Sequence, residues 1–249
     1  MRVYDKESES NSCPTRVTVI IPCHNHAALV QRAIDSVVAQ DYRPLNIVVI
    51  DDGSKDNPES TISNIDKKDV ELIFIRNESP TGPSAARNKG IMETWENTDV
   101  FMMLDADDYY LDGKIKKSVQ KYEDNKKYVG IVYSDAIIEN LNKGTKIHEF
   151  REPFSRDALE RECVISNTPL VSKEAIKSCG MYDEEMRTCE DWDLWLRITE
   201  TFVAIHLPEP LHVYSVTGRN SSDTVDKEVW QSNWQKIRQR LLHRANASI

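Results

Sequence analysis

Residues 100–108 read VFMMLDADD, an apolar run that leads directly into three carboxylates. A short apolar run bounded by polar residues predicts a buried strand, although a segment of buried helix has the same pattern. Side chains two positions apart project to the same side of a strand, so we expect Asp105 and Asp107 to lie together. Divalent ions such as Mg²⁺ bind one or two carboxylates and take their remaining ligands from water and phosphate. The alternative is an acidic loop with a helix-capping aspartate, because Asp-x-Asp alone is a weak motif.

The composition excludes several classes of protein. The chain has 249 residues, which suits one large domain, and its net charge of −9 argues against a nucleic-acid binder that relies on a basic surface. No stretch approaches the ~18 apolar residues of a membrane span. Residues 1–15 are polar, without the apolar segment of a signal peptide, and we expect a disordered leader there. The five cysteines include no Cys-x-x-Cys pair, which argues against a zinc site or disulfide framework and favours a reducing, cytoplasmic location.

Strand and helix patterns alternate through the first half of the chain. Apolar and β-branched runs predict strands at 16–22, 45–50, 70–75 and 100–104. Helical periodicity predicts helices between and after them, with Asn25, Ser84 and Asp112 as N-caps. This alternation predicts βαβ units and a largely parallel sheet, in which ligands bind beyond the carboxyl ends of the strands. Pro22, Asp52 and the 105–107 turn all follow such ends, so we expect three strand ends to converge on one crevice.

The second half is less regular. The sequence predicts a strand at 130–135, a hairpin over 140–150, a helix at 172–179 and a helix beginning near residue 189. A last helix over about 226–244 carries an expected apolar stripe of Trp230, Trp234, Ile237 and Leu241. Docking of this stripe on the domain is the default interpretation. Pairing with a second subunit and contact with an anionic membrane surface are the alternatives.

Three further segments carry side chains suited to chemistry. Asp52 lies in an Asp-Asp-Gly-Ser turn, where it can accept hydrogen bonds from a base or ribose; an ordinary turn is the alternative. Arg87, one turn into a predicted helix, can reach a phosphate or carboxylate, or else lie on a solvated helix face. Glu190 and Asp191 precede an aromatic helix face, either as partners of the helix dipole or as a general base partly desolvated by Trp192.

Several familiar motifs do not occur. The sequence has no Gly-x-Gly-x-x-Gly and no Walker-type loop, which argues against an NAD-dependent dehydrogenase and a P-loop NTPase. The histidines show no metal-ligand spacing. His24 is a candidate for a nucleotide pocket and His212 for a metal site, with an ordinary structural role as the alternative for both. Trp192 is expected in the core, with stacking on a sugar as a second role.

Five segments together resemble glycosyltransferase family 2, the large inverting family with the GT-A fold. The resemblance runs from about Val17 to Ser222 and rests on VTVIIPCHN (17–25), VIDDGS (49–54), GPSAARNKG (82–90), LDADD (104–108) and CEDWDLW (189–195). It implies an α/β, Rossmann-like fold of the nucleotide-diphospho-sugar transferases, with a mostly parallel central sheet flanked by helices. The expected domain covers 16–222, with a nucleotide-sugar-binding half (16–110) and an acceptor-binding half (111–222), followed by an amphipathic helix over 223–249.

The resemblance also implies roles for individual residues. Pro22, His24 and Asn25 would line the nucleotide pocket, Asp52 would bind the base, and Arg87 would approach the nucleotide-sugar. Asp107 would bind Mn²⁺ or Mg²⁺, with Asp105 contributing to that site and lying nearer the ribose. Asp191 would be the catalytic base, with Glu190 or Asp135 as the alternatives, and Glu190 and Trp192 would contact substrate.

Two departures from the family pattern stand out. His24 occupies a position where an aromatic that stacks on the base is common. After Tyr214 the chain reads SVTGRNS, where many relatives have a Tyr-Arg pair followed by a histidine. Arg219 is a candidate substitute in closing the site over the diphosphate, and His212 is a candidate at the metal. The chain also lacks Gln-x-x-Arg-Trp, which is usual in processive synthases, so a single-addition enzyme is expected.

The implied activity is transfer of a sugar from a nucleotide-diphospho-sugar, with UDP as the first choice, to a hydroxyl of a glycan or lipid-linked glycan. Surface polysaccharide biosynthesis in the cytoplasm is the expected setting, with the C-terminal helix at the inner face of the membrane or in a homodimer. A catalytically silent nucleotide-sugar-binding module and a nucleotidyltransferase are the alternatives.

Overall fold

Strands alternate with helices in the first half of the chain, and the second half is richer in strands. The structure, a computed structural model, describes residues 13–247, and the side chains of all of these but 221–222 and 245–247. The predicted leader over 1–15 lies mostly outside the described residues. The strands are β1 (Val17–Cys23), β2 (Leu45–Asp51), β3 (Glu71–Arg76), β4 (Val100–Met103), β5 (Tyr109–Tyr110), β6 (Val129–Asn140), β7 (Thr145–Glu149), β8 (Leu170–Ser172) and β9 (Val203–Val216). The helices are α1 (Val30–Val38), α2 (Pro58–Ile62), α3 (Pro83–Thr94), α4 (Lys114–Glu123), α5 (Arg156–Arg161), α6 (Lys173–Cys179), α7 (Glu190–Ile198), α8 (Ser221–Thr224) and α9 (Lys227–Ala247), and a short 3-10 turn spans Trp95–Asn97.

Within the described residues, nine strands form one mixed sheet in the order β3-β2-β1-β4-β8-β6-β9-β5, with β7 paired to β6. The first four strands are parallel, as the βαβ pattern predicts. In the second half, β8 runs antiparallel between β4 and β6, and β9 is parallel to β6. The sheet passes through both predicted halves, because β5 pairs with β9 at its far edge. The boundary at 110/111 stays a prediction.

Helices cover both faces of the sheet. Alternate residues of β1 point to opposite faces, so that Val19 packs with α1 and α4 whereas Ile20 packs with α3. Helix α3 approaches β1 closely because residue 90 is glycine: a Cβ there would lie 2.8 Å from Cγ2 of Ile20. This close contact fixes α3, which begins beside the carboxyl ends of β1, β2 and β4.

The three predicted N-caps are wrong. Helices α1, α3 and α4 follow Leu29, Gly82 and Gly113. Asn25 lies in the β1–α1 loop with φ of 57°, and its Oδ1 accepts the backbone N–H of Lys55 at 2.9 Å. Ser84 lies inside α3, where its hydroxyl donates to the carbonyl of Met186 at 2.9 Å. Tertiary contacts therefore take the polar groups that a local pattern assigns to capping.

Helix α9 docks on the domain, as the default interpretation of the last helix predicts. Ile237 is 1% exposed and belongs to the core, and the amide of Asn233 donates to the carbonyl of Thr188 at 3.1 Å. The predicted stripe is wrong at Trp234, which is 44% exposed and lies under the guanidinium of Arg238. Among the described residues, no helix is both long enough and apolar enough to cross a membrane.

Candidate active site

The segments after β1 and β2 are joined at one edge of the sheet, as predicted. Nδ1–H of His24 donates to the backbone carbonyl of Asp52 at 2.7 Å, and Nε2 of His24 accepts the amide of Asn25 at 2.8 Å. A single neutral tautomer satisfies both contacts. The backbone N–H of Asn25 donates to Oγ of Ser54 at 2.9 Å. Pro22 is half-buried within β1. His24 and Asn25 are exposed, and a nucleotide-lining role for all three stays a prediction.

Asp52 binds its own chain. Its carboxylate accepts the backbone N–H groups of Thr81 and Gly82, the hydroxyl of Thr81 and the amide of Asn77, all at 2.8 to 3.0 Å. Burial opposes ionisation, but these hydrogen bonds outweigh it and lower the pKa of Asp52. A carboxylate has about four acceptor positions, and those of Asp52 are filled. The structure therefore shows Asp52 holding the 77–82 loop, and its contact with a base stays a prediction.

Arg87 joins the turn after β4 to the start of α7. Its Nη2 donates to Asp105 at 2.7 Å and its Nη1 donates to Glu190 at 2.8 Å. Burial disfavours the charge, but the two carboxylates outweigh that cost and raise the pKa of Arg87 above its usual range. Only 6% of Arg87 is exposed, so little of it is open to a ligand. In the structure Arg87 bridges two acidic segments, and its approach to a nucleotide-sugar stays a prediction.

The turn after β4 places its three carboxylates in different surroundings. Asp105 is half-buried and accepts the amide of Asn167 at 3.1 Å as well as the guanidinium of Arg87. Asp108 is buried and accepts the backbone N–H of Ser215 at 2.8 Å. Burial, and then the neighbouring Asp107, raise the pKa of Asp108 well above its usual range. Asp108 therefore holds the end of β9, whereas Asp105 and Asp107 are left for the site.

Asp107 is a buried carboxylate next to a second one, and a bound cation would offset both the burial and the repulsion of its charge. It is 8% exposed, and burial followed by repulsion from Asp105 raises its pKa to about 6. The described residues contain no cluster of three or more His, Cys, Asp or Glu side chains that could hold a metal ion. Two carboxylates from one turn fit a hard divalent ion that takes its remaining ligands from water and substrate phosphate. The donor set is therefore compatible with Mn²⁺ or Mg²⁺, with Asp107 and Asp105 as the holding residues.

Asp191 lies at the start of α7, next to Glu190. It accepts the backbone N–H of Trp192 at 2.7 Å. Burial, and then the charge of Glu190, raise the pKa of Asp191 to about 6. Trp192 is buried in the core, and its indole N–H donates to the carbonyl of Leu159 at 2.6 Å. The predicted substrate contact for Trp192 is therefore corrected to a packing role, as its aromatic face is not open to a sugar.

Three other candidates make no hydrogen bond with Asp105, Asp107 or Asp191. His212 is buried beside Ser134, at 3.4 Å from its hydroxyl, and burial lowers its pKa well below the usual range. Arg219 is exposed, and its backbone N–H donates to Thr217. Asp135 accepts Nε2–H of His206 at 2.7 Å, together with two further donors. Neither His212 nor Arg219 makes a hydrogen bond or ion pair with Asp107.

The side chains that do contact the 105–108 turn include three that the sequence analysis did not single out. Arg32, Asn167 and Asn220 donate to the 105–108 turn from three different elements or loops. Each is a single polar residue, and no local pattern indicates that its side chain contacts the 105–108 turn. A residue of this kind is found only when the chain has been folded.

Comparisons with known proteins show which protein family the sequence matches. A family model described as Glycosyl transferase family 2 matches residues 18–177. The chain is 29% identical over 152 residues to the GalNAc(5)-diNAcBac-PP-undecaprenol beta-1,3-glucosyltransferase of Campylobacter jejuni, covering 61% of this chain and 46% of that protein. It is 28% identical over 220 residues to an uncharacterized glycosyltransferase of Rickettsia felis, covering 86% and 32%. The chain spans 32% to 60% of the length of the first curated relatives that it matches.

Solved structures share the fold. Staphylococcus aureus TarS in complex with UDP-GlcNAc superposes with a TM-score of 0.68 at 16% identity, covering 85% of this chain and 61% of that chain. The mannosyltransferase PcManGT of Pyrobaculum calidifontis, in complex with GDP-Man and Mn²⁺, gives a TM-score of 0.63 at 20% identity, covering 84% and 59%. These matches confirm the predicted GT-A-type α/β fold.

Proposed function

Because this chain belongs to glycosyl transferase family 2, we propose that it transfers a sugar from a nucleotide-diphospho-sugar to an acceptor hydroxyl, once per encounter and with inversion. One observation carries the proposal. The buried guanidinium of Arg87 donates to Asp105 of the 105–108 turn and to Glu190 at the start of α7, so one cation joins the donor-side turn to the residue that precedes Asp191. In transfer from a charged donor to a hydroxyl, positioned charge can stabilise the leaving group and a nearby carboxylate can take the proton.

The donor side is proposed to work through Asp107 and Asp105. These carboxylates would hold Mn²⁺ or Mg²⁺, which would neutralise charge on the leaving nucleoside diphosphate. Arg87 keeps Asp105 in place and limits its repulsion of Asp107. The nucleoside would lie against the exposed 24–25 segment, with the 77–82 loop held in place by Asp52.

The acceptor side is proposed to work through Asp191. With a pKa of about 6, its carboxylate is ionised near pH 7 and basic enough to take a proton from an attacking hydroxyl. The hydroxyl oxygen then bonds to the anomeric carbon as the bond to the diphosphate breaks, and the proton stays on Asp191. Glu190 raises the basicity of Asp191 while its own charge is held by Arg87. One displacement of this kind inverts the anomeric configuration.

The substrates are proposed from the relatives. A UDP-sugar is the first choice, supported by the UDP-GlcNAc complex of TarS, whereas PcManGT carries GDP-Man. A glycan or lipid-linked glycan is the proposed acceptor, since the name of the Campylobacter relative specifies an undecaprenol-linked glycan. Surface glycan synthesis on the cytoplasmic side of a membrane is proposed on the same basis.

The first experiment measures nucleotide release from a panel of UDP-, GDP-, dTDP- and CMP-sugars with Mn²⁺, Mg²⁺ or EDTA. We expect metal-dependent turnover of one donor, lost in Asp107→Asn. Asp112→Asn is the matched control, because Asp112 is an exposed aspartate five positions away. Turnover that EDTA and Asp107→Asn both leave unchanged would remove the metal from the proposal. Pyrophosphate release from a nucleoside triphosphate and a sugar phosphate would instead indicate a nucleotidyltransferase.

A second experiment tests the base. Asp191→Asn is expected to bind the donor as the wild type does, measured by calorimetry, and to lose transfer. The amide keeps the shape of the side chain but accepts no proton. Unchanged transfer in this variant would contradict the assignment of Asp191, and Glu190→Gln would be examined next. Donor binding without transfer by the wild type, with every acceptor offered, would support the silent binding module.

A further inference from the structure

The end of β9 and the turn after it are fastened to the 105–108 turn. The backbone N–H of Ser215 donates to Oδ1 of Asp108 at 2.8 Å, and the amide of Asn220 donates to Oδ2 of Asp107 at 3.3 Å. Ser215 and Asn220 are both buried. The proposed reaction gives neither of them a role, although both contact the carboxylate turn of the donor side.

Every hydrogen-bonding position of the Asn220 amide is used. Its Oδ1 accepts the backbone N–H of Thr217 at 2.9 Å and the hydroxyl of Thr217 at 3.1 Å. Its Nδ2 donates to the carbonyl of Ser215 at 2.9 Å and to Asp107. The backbone N–H on Oδ1 can only donate, which assigns the orientation of the amide. Asn220 is therefore a fixed donor directed at one oxygen of Asp107.

Arg32 of α1 holds the main chain at the same position. Its Nη2 donates to the carbonyl of Asp107 at 2.6 Å and to Oγ of Ser215 at 2.8 Å. The guanidinium lies 4.5 Å from the ring centre of Tyr109 and pairs with Glu139 at 3.4 Å. Arg32 of α1 thus holds the backbone of Asp107, and Asn220 of the turn after β9 holds its carboxylate.

We propose that Asn220 and Arg32 are positioning residues that orient Asp107 for the divalent cation, an inference that rests on the proposed function. Because Asn220 donates to Oδ2, the carboxylate of Asp107 would meet the ion in one orientation. A carboxylate held in one orientation loses little conformational freedom when it binds a cation. Partners that orient a metal ligand commonly change metal affinity by about 10- to 100-fold when they are removed.

The test is Mn²⁺ binding to the full chain by calorimetry, with and without UDP. Asn220→Ala is expected to weaken Mn²⁺ binding by about 10- to 100-fold. Asn142→Ala is the matched control: its amide donates to the carbonyl of Thr217 in the same turn at 3.4 Å and makes no contact with Asp107. This control is expected to bind Mn²⁺ within about twofold of the wild type. Arg32→Lys keeps the charge but loses the two-acceptor contact, and it is expected to weaken Mn²⁺ binding in the same direction.

A second readout separates positioning from general damage to the fold. In donor turnover, Asn220→Ala should need more Mn²⁺ for half-maximal rate and approach the wild-type rate when Mn²⁺ is saturating. Mn²⁺ affinity equal to wild type in both Asn220→Ala and Arg32→Lys, while Asp107→Asn loses binding, would overturn the inference and leave the proposed function intact. Failure of the wild type to turn over any donor would instead count against the proposed function.

Discussion

At the scale of single residues, acidic side chains lie close together and are partly buried. The pKa of Asp191 is raised to about 6, first by burial and then by Glu190. The guanidinium of Arg87 lies between Glu190 and Asp105 and limits the repulsion between the two acidic segments. The structure therefore keeps a basic carboxylate next to an ion pair, a combination suited to proton abstraction near neutral pH.

The pH dependence of transfer follows from the pKa of Asp191. A protonated carboxyl accepts no proton, so at saturating Mn²⁺ we expect the rate to fall as the pH drops below about 6. Glu190→Gln removes the neighbouring negative charge, which should lower the pKa of Asp191 and move this acid limb to lower pH. Glu185→Gln, an exposed change in the loop before α7, is the control and should leave the profile in place. An acid limb at the same pH in the wild type and Glu190→Gln would contradict this account.

At the scale of elements, α4 is anchored by a buried lysine. Lys114 is fully buried, donates to the hydroxyl of Ser134 at 3.0 Å and lies 5.9 Å from the ring centre of Tyr110. Burial lowers its pKa from 10.5 to about 7. An ammonium group held by one neutral hydroxyl is a weak point in the packing of α4 on the sheet, because no described acidic side chain pairs with it.

Lys114→Met tests the lowered pKa of Lys114 through the free energy of unfolding. Between pH 7 and 10 the unfolded chain binds a proton at Lys114 that the folded chain does not, so this lysine makes stability rise with pH. The methionine variant lacks that contribution. We expect Lys114→Met to be more stable than the wild type at pH 7, with the gap narrowing by about 2 kcal/mol at pH 9. Urea unfolding at both pH values measures this, and Lys116→Met, at an exposed position of the same helix, should show a constant difference. A constant gap for Lys114→Met would refute the lowered pKa.

At the scale of the whole molecule, α9 closes over the face of the sheet that carries α7. Ile237 enters the core there, and Arg240 donates to Asp193 at 2.7 Å and to Asp183 at 2.5 Å. Because Asp193 belongs to α7, these contacts connect the last helix to the helix that begins with Glu190 and Asp191. The C-terminal helix therefore helps to hold α7, the helix that carries the candidate base Asp191, in position.

Two substitutions on α9 test which face of the helix packs on the domain. Ile237→Ala is expected to lower the free energy of unfolding by about 2–5 kcal/mol, because it leaves a cavity in the core. Trp234→Ala removes a larger side chain from an exposed position and should change it by no more than about 0.5 kcal/mol. Urea unfolding of the two variants measures both. Equal losses would mean that the helix does not dock through the face that carries Ile237.

Local patterns in the sequence account for the first half of the fold. Apolar runs, β-branched residues and helical periodicity are properties of neighbouring residues, and they located β1, β2, β3 and β4 with the helices between them. They failed for β9, where Pro208 and Pro210 interrupt an otherwise apolar strand, and for β8, which has only three residues. The helix starts were misplaced because Asn25 and Ser84 are used in tertiary contacts.

The sequence by itself determined the family, the α/β fold, and the position of the acidic turn at the end of a strand, because each is carried by residues close together in the chain. Only the tertiary structure decided which polar groups meet. Arg87 contacts carboxylates 18 and 103 positions away, Asp52 is saturated by the 77–82 loop, and Asn220 reaches Asp107 across 113 positions. The physical reason is that a hydrogen bond requires two groups to be about 3 Å apart. Residues this far apart in sequence come that close only when the whole sheet has formed.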